Sequence, residues 1–350
     1  MKYSKIDVMD KIKPALFWVV DYYPDLGISK GEYYEQIARE VEYAEKLGYR
    51  GVWIAEHHFI DYGIVPSAPI YLTYLASRTS RIRLGPAVST IVFRNPIQVA
   101  EEYSLLDTLS KGRLNLAVGS GYLKHEFAGF NVPLEIKREI FDEALDIVIR
   151  LMRGEKITIN GKYFKYENIG INVLPLQNPH PPIWIAVLRA EAAYHVGKKG
   201  FNLMMIPYAT VDKIGDIMPV VNSFREGLKE SRSEEKELSL SFHTHVANSF
   251  HDAVETSKEY LHRYVFSRLY AKRRTLDELY DSGLLLLFGS PEDVANQIYK
   301  IYKLARPNML MFLVDYGMKP YDMVIDILTK IREKVAKHLE GKGILLDFDN

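Results

Sequence analysis

The chain has 350 residues, 47% hydrophobic, with no cysteine and with 45 Lys plus Arg balancing 45 Asp plus Glu. That composition excludes disulfides, thiolate catalysis and cysteine zinc sites, and it offers no basic surface for nucleic acid. No apolar run spans a membrane (284–288 is the densest) and residues 1–14 mix Lys with Asp, so a cytoplasmic protein without anchor or signal peptide is expected.

Short β-like runs alternate with helix-like segments along the chain. The first run is 15–20 (ALFWVV). A helix follows, opening on the capping box Ser29-Lys-Gly-Glu32 and stopping near Gly48. The second run is 51–55 (GVWIA); a helix over 69–80 leads to the third, 82–88 (IRLGPAV). Pro96 opens a helix that ends near Leu109, before the fourth run, 114–118 (LNLAV). A helix over 135–152 keeps Ile140, Ala144, Ile147, Val148 and Leu151 on one stripe.

Asn160-Gly161 between β-formers marks an inserted hairpin, within an insertion at about 153–181. The fifth to seventh runs are 183–187, 203–206 and 238–247. A helix to about Phe266 precedes a charged, irregular insertion at about 266–288, read as a mobile loop after strand seven. Ser290-Pro-Glu-Asp293 caps the next helix. The eighth run is 309–314, the last helix spans 321–339, and the remainder reads as a loosely held tail. Eight doubly buried runs with helices between them predict an α/β fold, a (β/α)8 TIM barrel, with 1–350 as a single domain. An open doubly wound sheet shares the alternation, but no GxGxxG follows the first run.

In such a barrel the chemistry sits at the strand C-termini. Glu56, His57 and His58 follow the second run, where a histidine can act as general acid or base. The competing reading is a histidine bonded to backbone at a strand end. Adjacent residues rarely converge on one ion, so no metal is assigned. Gly119 and Gly121 flank Ser120 after the fourth run and would let a flat ring or a phosphate approach, or simply make the turn. Arg138 and Arg189 lie at helix starts, which suit a phosphate; a surface ion pair is the alternative for each. His243 and His245 share one face of the seventh run and suit the barrel interior or a hydrogen-bonded core edge.

From 15 to 331 the chain resembles the bacterial-luciferase-like flavin-dependent monooxygenases. The resemblance rests on GVWIAEHHF (51–59), NPIQVAEE (95–102), LLDTLSKGR (105–113) and FGSPED (288–293). It implies a barrel that binds reduced flavin mononucleotide (FMN) and uses O2 on a small organic substrate, in the manner of an alkanal monooxygenase. His57 matches the catalytic histidine and Glu56 a flavin-neighbouring glutamate. Ala87 and Val88 match a pair joined by a cis peptide under the ring; Ser120, Gly121 and Tyr122 match its backbone neighbours. Luciferase has an arginine where this chain has Ser120.

Arg138 matches a phosphate-binding arginine. The family's phosphate loop often carries Ser or Thr, whereas 187–193 has none, which leaves that end to Leu188, Arg189, Ala190 and the helix amides. Arg268, Lys272, Arg273 and Arg274 could close over the anion; a disordered, solvated loop is the alternative, preferred where no flavin is bound. The resemblance also implies a separate NAD(P)H:flavin reductase and a homodimer. Two alternatives remain: an oxidoreductase of the same fold using the deazaflavin F420, and a non-catalytic flavin-binding protein.

Overall fold

Runs with no polar alternation must be buried on both faces, and a closed parallel sheet wrapped in helices provides that. The computed structural model describes residues 9–233, 235–267 and 275–349. Its strands are β1 (Asp10–Trp18), β2 (Gly51–Ile54), β3 (Arg83–Pro86), β4 (Ser89–Thr90), β5 (Leu116–Gly119), β6 (Ile157–Asn160), β7 (Lys165–Ile169), β8 (Ile183–Ala186), β9 (Asn202–Met205), β10 (Leu238–Val246), β11 (Leu286–Gly289), β12 (Met309–Leu313) and β13 (Ile344–Leu346).

The main sheet runs β3-β2-β1-β12-β10-β9-β8-β5-β4, every pairing parallel. It closes where β3 meets the approach to β5: Leu84 N–H donates to Arg113 O (3.0 Å) and Asn115 N–H to Leu84 O (2.8 Å). The expected TIM barrel is therefore present. Its interior is filled by Trp53 and Trp184, edge to face at 5.4 Å. A side chain on Gly85 would lie 2.5 Å from the Trp53 ring, so that indole requires glycine opposite. Among the described residues no helix is long and apolar enough to cross a membrane.

Local signals behave as their chemistry dictates. Ser29 and Ser290 form reciprocal capping boxes with Glu32 and Asp293. The inserted hairpin forms from β6 and β7, with residues 161–164 making a wider turn than Asn-Gly alone and Gly161 N–H bonding Phe164 O (2.9 Å). The helix expected from 135 begins as a 3-10 turn, Leu134–Ile136, and becomes α-helical at Lys137.

Two expectations are corrected. The stretch at about 266–288 is not a continuous loop. A helix reaches Ser267, a short helix covers Leu276–Tyr280, and β11 pairs with the C-terminal half of β10. Residues 268–274, with the four cations expected to close over an anion, lie outside the described residues. Nor is the C-terminus a loose tail. β13 pairs with the N-terminal end of β1, Arg50 binds Asp347 (2.7 Å) and Asp349, and Phe348 is buried edge-on against Tyr49 at 5.0 Å. Apolar 344–346 (ILL) supplies the strand, and Arg50 fixes its register.

Removing the Phe348 ring should therefore cost as much as a core truncation. Phe348→Ala is expected to lower unfolding free energy by about 3 kcal/mol in urea titrations. Wild-type stability in that variant would return the segment to a loose tail.

Candidate active site

Alternation along the extended chain after β2 brings Glu56 and His58 together, with His58 Nε2 3.8 Å from Glu56 Oε1, and turns His57 away from them. The Glu56 carboxylate is buried. Thr90 N–H donates to Oε1 (3.1 Å) and Ala68 N–H to Oε2 (3.2 Å), so it ties the ends of β2 and β4 to the next helix. His57 faces the barrel rim, its ring 5.1 Å from Tyr62 and 6.4 Å from Tyr122. His58, on the same side as Glu56, packs edge-on against Phe130 at 4.7 Å.

A residue with no sequence signal joins them. Glu126, buried in the short helix Lys124–Gly129, places Oε1 3.3 Å from His57 Nδ1 and accepts the His58 N–H at 2.9 Å. His125 Nε2 lies 3.1 Å from His58 O in the same helix. Nearly seventy positions separate these partners, so only the fold brings them together.

Ala87 and Val88 follow β3 on the neighbouring rim, and their peptide is cis. Val88 packs against Gly119, where a Cβ would sit 2.6 Å from Val88 Cγ2. Tyr122 remains 40% exposed, beyond Ser120 and Gly121. A flat group laid on this rim would thus meet small residues and backbone rather than side chains.

Beyond Gly121 lies a cationic corner. Lys137 Nζ donates to Gly121 O (2.7 Å), and burial together with the Arg189 guanidinium holds its ammonium below the ordinary lysine range. Arg189 precedes the helix Ala190–Lys198, whose first turn has no side-chain cap, and Leu188 beside it is exposed. Arg138 is placed differently: its Nε donates to Asp142 (3.0 Å) on its own helix, and Lys199 joins the same carboxylate. The cation presented to Gly121 is Lys137, which the sequence reading did not name. The signal was available: Lys137 precedes buried Ile140 and Phe141 by three and four residues, so it extends the buried stripe.

Residues 16–306 match the family model described as luciferase-like monooxygenase. The chain belongs to that family. It is 33% identical over 211 residues to an uncharacterized Sinorhizobium fredii protein, y4wF, a match covering 59% of this chain and 62% of that one. A second S. fredii protein, y4vJ, is 37% identical over 46% of each chain, so the match spans less than two thirds of both relatives. It is also 26% identical to limonene 1,2-monooxygenase of Rhodococcus erythropolis (86% of this chain, 80% of that) and 25% to the oxygenase component of the flavin-dependent trigonelline monooxygenase of Acinetobacter baylyi (79% and 76%).

Three solved structures share the fold. Monooxygenase RslO1 from Streptomyces bottropensis has a TM-score of 0.85 at 22% identity (93% and 99% covered). The oxygenating constituent of Pseudomonas putida 3,6-diketocamphane monooxygenase, solved with FMN, has 0.80 at 18% (93% and 98%). The F420-dependent tetrahydromethanopterin reductase of Methanopyrus kandleri has 0.72 at 18% (95% and 99%).

The luciferase-like barrel also buries polar groups away from His57. His243 packs edge-on among Tyr208, Tyr264 and Tyr316 with ring centroids 4.5–5.2 Å away. His245 contacts Thr256 Oγ1 (2.9 Å), and burial, with Lys319 and Lys330, pushes it down to about 2, so it stays neutral. Among the described residues no three His, Asp or Glu are grouped to hold a metal ion.

Between the ends of β1 and β12 lie Asp21, Glu40, Asp315 and Lys319, all buried. Asp21 Oδ2 accepts from Gly317 N–H (2.7 Å) and the Tyr23 hydroxyl (2.8 Å), while Oδ1 has no partner among the described residues. Burial, then the Asp315 carboxylate, pushes Asp21 up to about 7. Asp315 itself rises to about 6 through burial. The folded chain therefore keeps a proton on Asp21 that the unfolded chain, near 3.8, releases. Stability falls as pH rises through that window. Asp21→Asn is expected to match wild type below pH 4 and to exceed it by up to about 4 kcal/mol above pH 7, read from urea unfolding at a series of pH values. A difference independent of pH would sink this account.

Proposed function

We propose that the chain is the oxygenase of a two-component system. It takes reduced FMN from a separate NAD(P)H-linked reductase and uses O2 to oxidise a small organic substrate. The observation that carries this reading is one rim that offers a proton-handling group and an anion-binding corner. His57 is backed by Glu126 at one end, and Lys137 with Arg189 stands beyond Gly121 at the other.

The residues present fit the cofactor's chemistry. Lys137 and Arg189 have no carboxylate within ion-pair distance among the described residues, and the uncapped helix start adds amide donors. These groups, flanked by Leu188 and Ala190, would hold the phosphate, with Arg138 at the margin. Ala87, Val88, Ser120, Gly121 and Tyr122 would border the ring, and Glu56 would fix the strand ends beneath it. The bound flavin would supply the electrons that activate O2. His57 would hold a proton at the rim, and Tyr62, hydrogen-bonded to Tyr264 (2.8 Å), would help exclude water. That the similar trigonelline monooxygenase chain is an oxygenase component supports a separate reductase. The same reading makes the protein a homodimer. Ile70 and Tyr74 on one helix and Leu105 and Leu109 on its neighbour are exposed, the apolar mark expected of that contact.

Calorimetry with FMN, riboflavin and F420 tests the assignment. FMN is expected to bind, and a Lys137→Ala/Arg189→Ala double variant to weaken it about 10–100-fold while leaving riboflavin unchanged. Admitting oxygen to the reduced complex should then give a long-lived absorbance change that His57→Ala shortens. Failure to bind FMN would overturn the proposal, and tight F420 binding in its place would substitute hydride transfer. FMN binding with an oxygen response indifferent to His57 would reduce the protein to a flavin binder.

A further inference from the structure

We infer that Glu126 is the positioning residue for His57: it fixes the ring's orientation and puts the neutral imidazole's one proton on Nδ1, leaving Nε2 for the rim. The inference rests on His57 being the proton-handling group of the proposed reaction.

A neutral imidazole has one N–H and one bare nitrogen, and the hydrogen bond made by one nitrogen decides the state of the other. Here the Nδ1 partner is an acceptor-only carboxylate oxygen at 3.3 Å, with Glu126 only 2% exposed. The opposite edge of the ring is fixed as well. A Cβ on Gly63 would stand 2.7 Å from His57 Cδ2, so the backbone of the following loop lies close against that edge. Turning the ring over would exchange Nδ1 with Cδ2. It would set a C–H against the carboxylate and a nitrogen against Gly63.

No neighbour duplicates this role. Glu56, next in sequence, is occupied by the Ala68 and Thr90 amides. His58 faces Phe130 and approaches Glu56 Oε1 at 3.8 Å. Tyr62 and Tyr122 present their rings to His57 from the other two loops. Of these titratable groups only Glu126 brings a carboxylate to the imidazole. Its Oε1 also holds the His58 amide at 2.9 Å, so the carboxylate cannot swing away without releasing the backbone beside His57. When the imidazole takes a second proton, Nε2–H becomes a donor at the rim and the carboxylate balances the charge.

Nitrogen-15 spectra of histidine-labelled protein without flavin test this directly. His57 is assigned by the signal lost in His57→Gln. Wild-type His57 is expected as the Nδ1–H tautomer. Glu126→Gln keeps an acceptor oxygen at the same place, so the Nδ1–H tautomer should persist. Glu126→Leu removes the acceptor, and Nδ1–H should give way to Nε2–H. Wild-type His57 found as Nε2–H, or Nδ1–H lost in Glu126→Gln, would overturn the inference. The Gln variant, which retains the acceptor for the His58 amide, decides the matter even where the Leu variant does not fold. No flavin enters the measurement, so its failure and the failure of the cofactor assignment are separate results.

Discussion

Two indole rings set the height at which this barrel can do chemistry. Trp53 and Trp184 meet edge to face inside the strand ring, and with Met204, Met309 and Met311 they fill it. An eight-stranded barrel has room for side chains but not for a channel. Large rings can be accommodated only if other interior positions are small, which is why Ala15, Ala117 and Gly85 stand around them. The interior is therefore a packed floor. Anything that reacts must stand on the residues at or just beyond the strand ends, and Glu56, His57, Val88 and Gly119 occupy those positions.

On such a floor each buried carboxylate needs donors or a proton. Glu56 receives two backbone amides, one per oxygen. Asp107 receives the Gln177 amide (2.9 Å) and its side-chain amide (2.7 Å). Glu126 receives the His58 amide and faces His57. Asp21 is the exception: both donors fall on Oδ2 and Oδ1 receives none, so the group retains a proton near neutral pH. The fold thus holds two kinds of buried carboxylate. Those supplied with amides tie elements together, whereas Asp21, undersupplied and beside the Asp315 carboxylate, links stability to pH.

What the sequence reveals follows the range of the forces involved. Eight apolar runs and two capping boxes are local, so the barrel and most helix starts were legible. β13 was not, because 344–346 is three residues long and its pairing with β1 depends on Arg50, far earlier in the chain. β11 was hidden by the charged residues before it and by its pairing with only half of β10. His57 and Glu56 could be named because they sit at a strand end, a place with a rule. Glu126 could not, since its meaning comes from a neighbour brought close only by barrel closure.

The choice between Lys137 and Arg138 turns on helix phase. Consecutive helical residues are about 100° apart, so only one of two adjacent cations can extend the buried face. Arg138 stands four residues before Asp142 and forms the ion pair that spacing favours. Lys137 is left half-buried beside Arg189, with a backbone carbonyl as its hydrogen-bond partner. Two cations within electrostatic reach, next to an uncapped helix start, repel one another in the free protein. A bound anion would reverse the sign of that interaction. The missing hydroxyls of 187–193 are then not a deficit. In the proposed cofactor site, charge contributed from a helix on the other side of Gly121 would replace the donors that a Ser or Thr loop would provide.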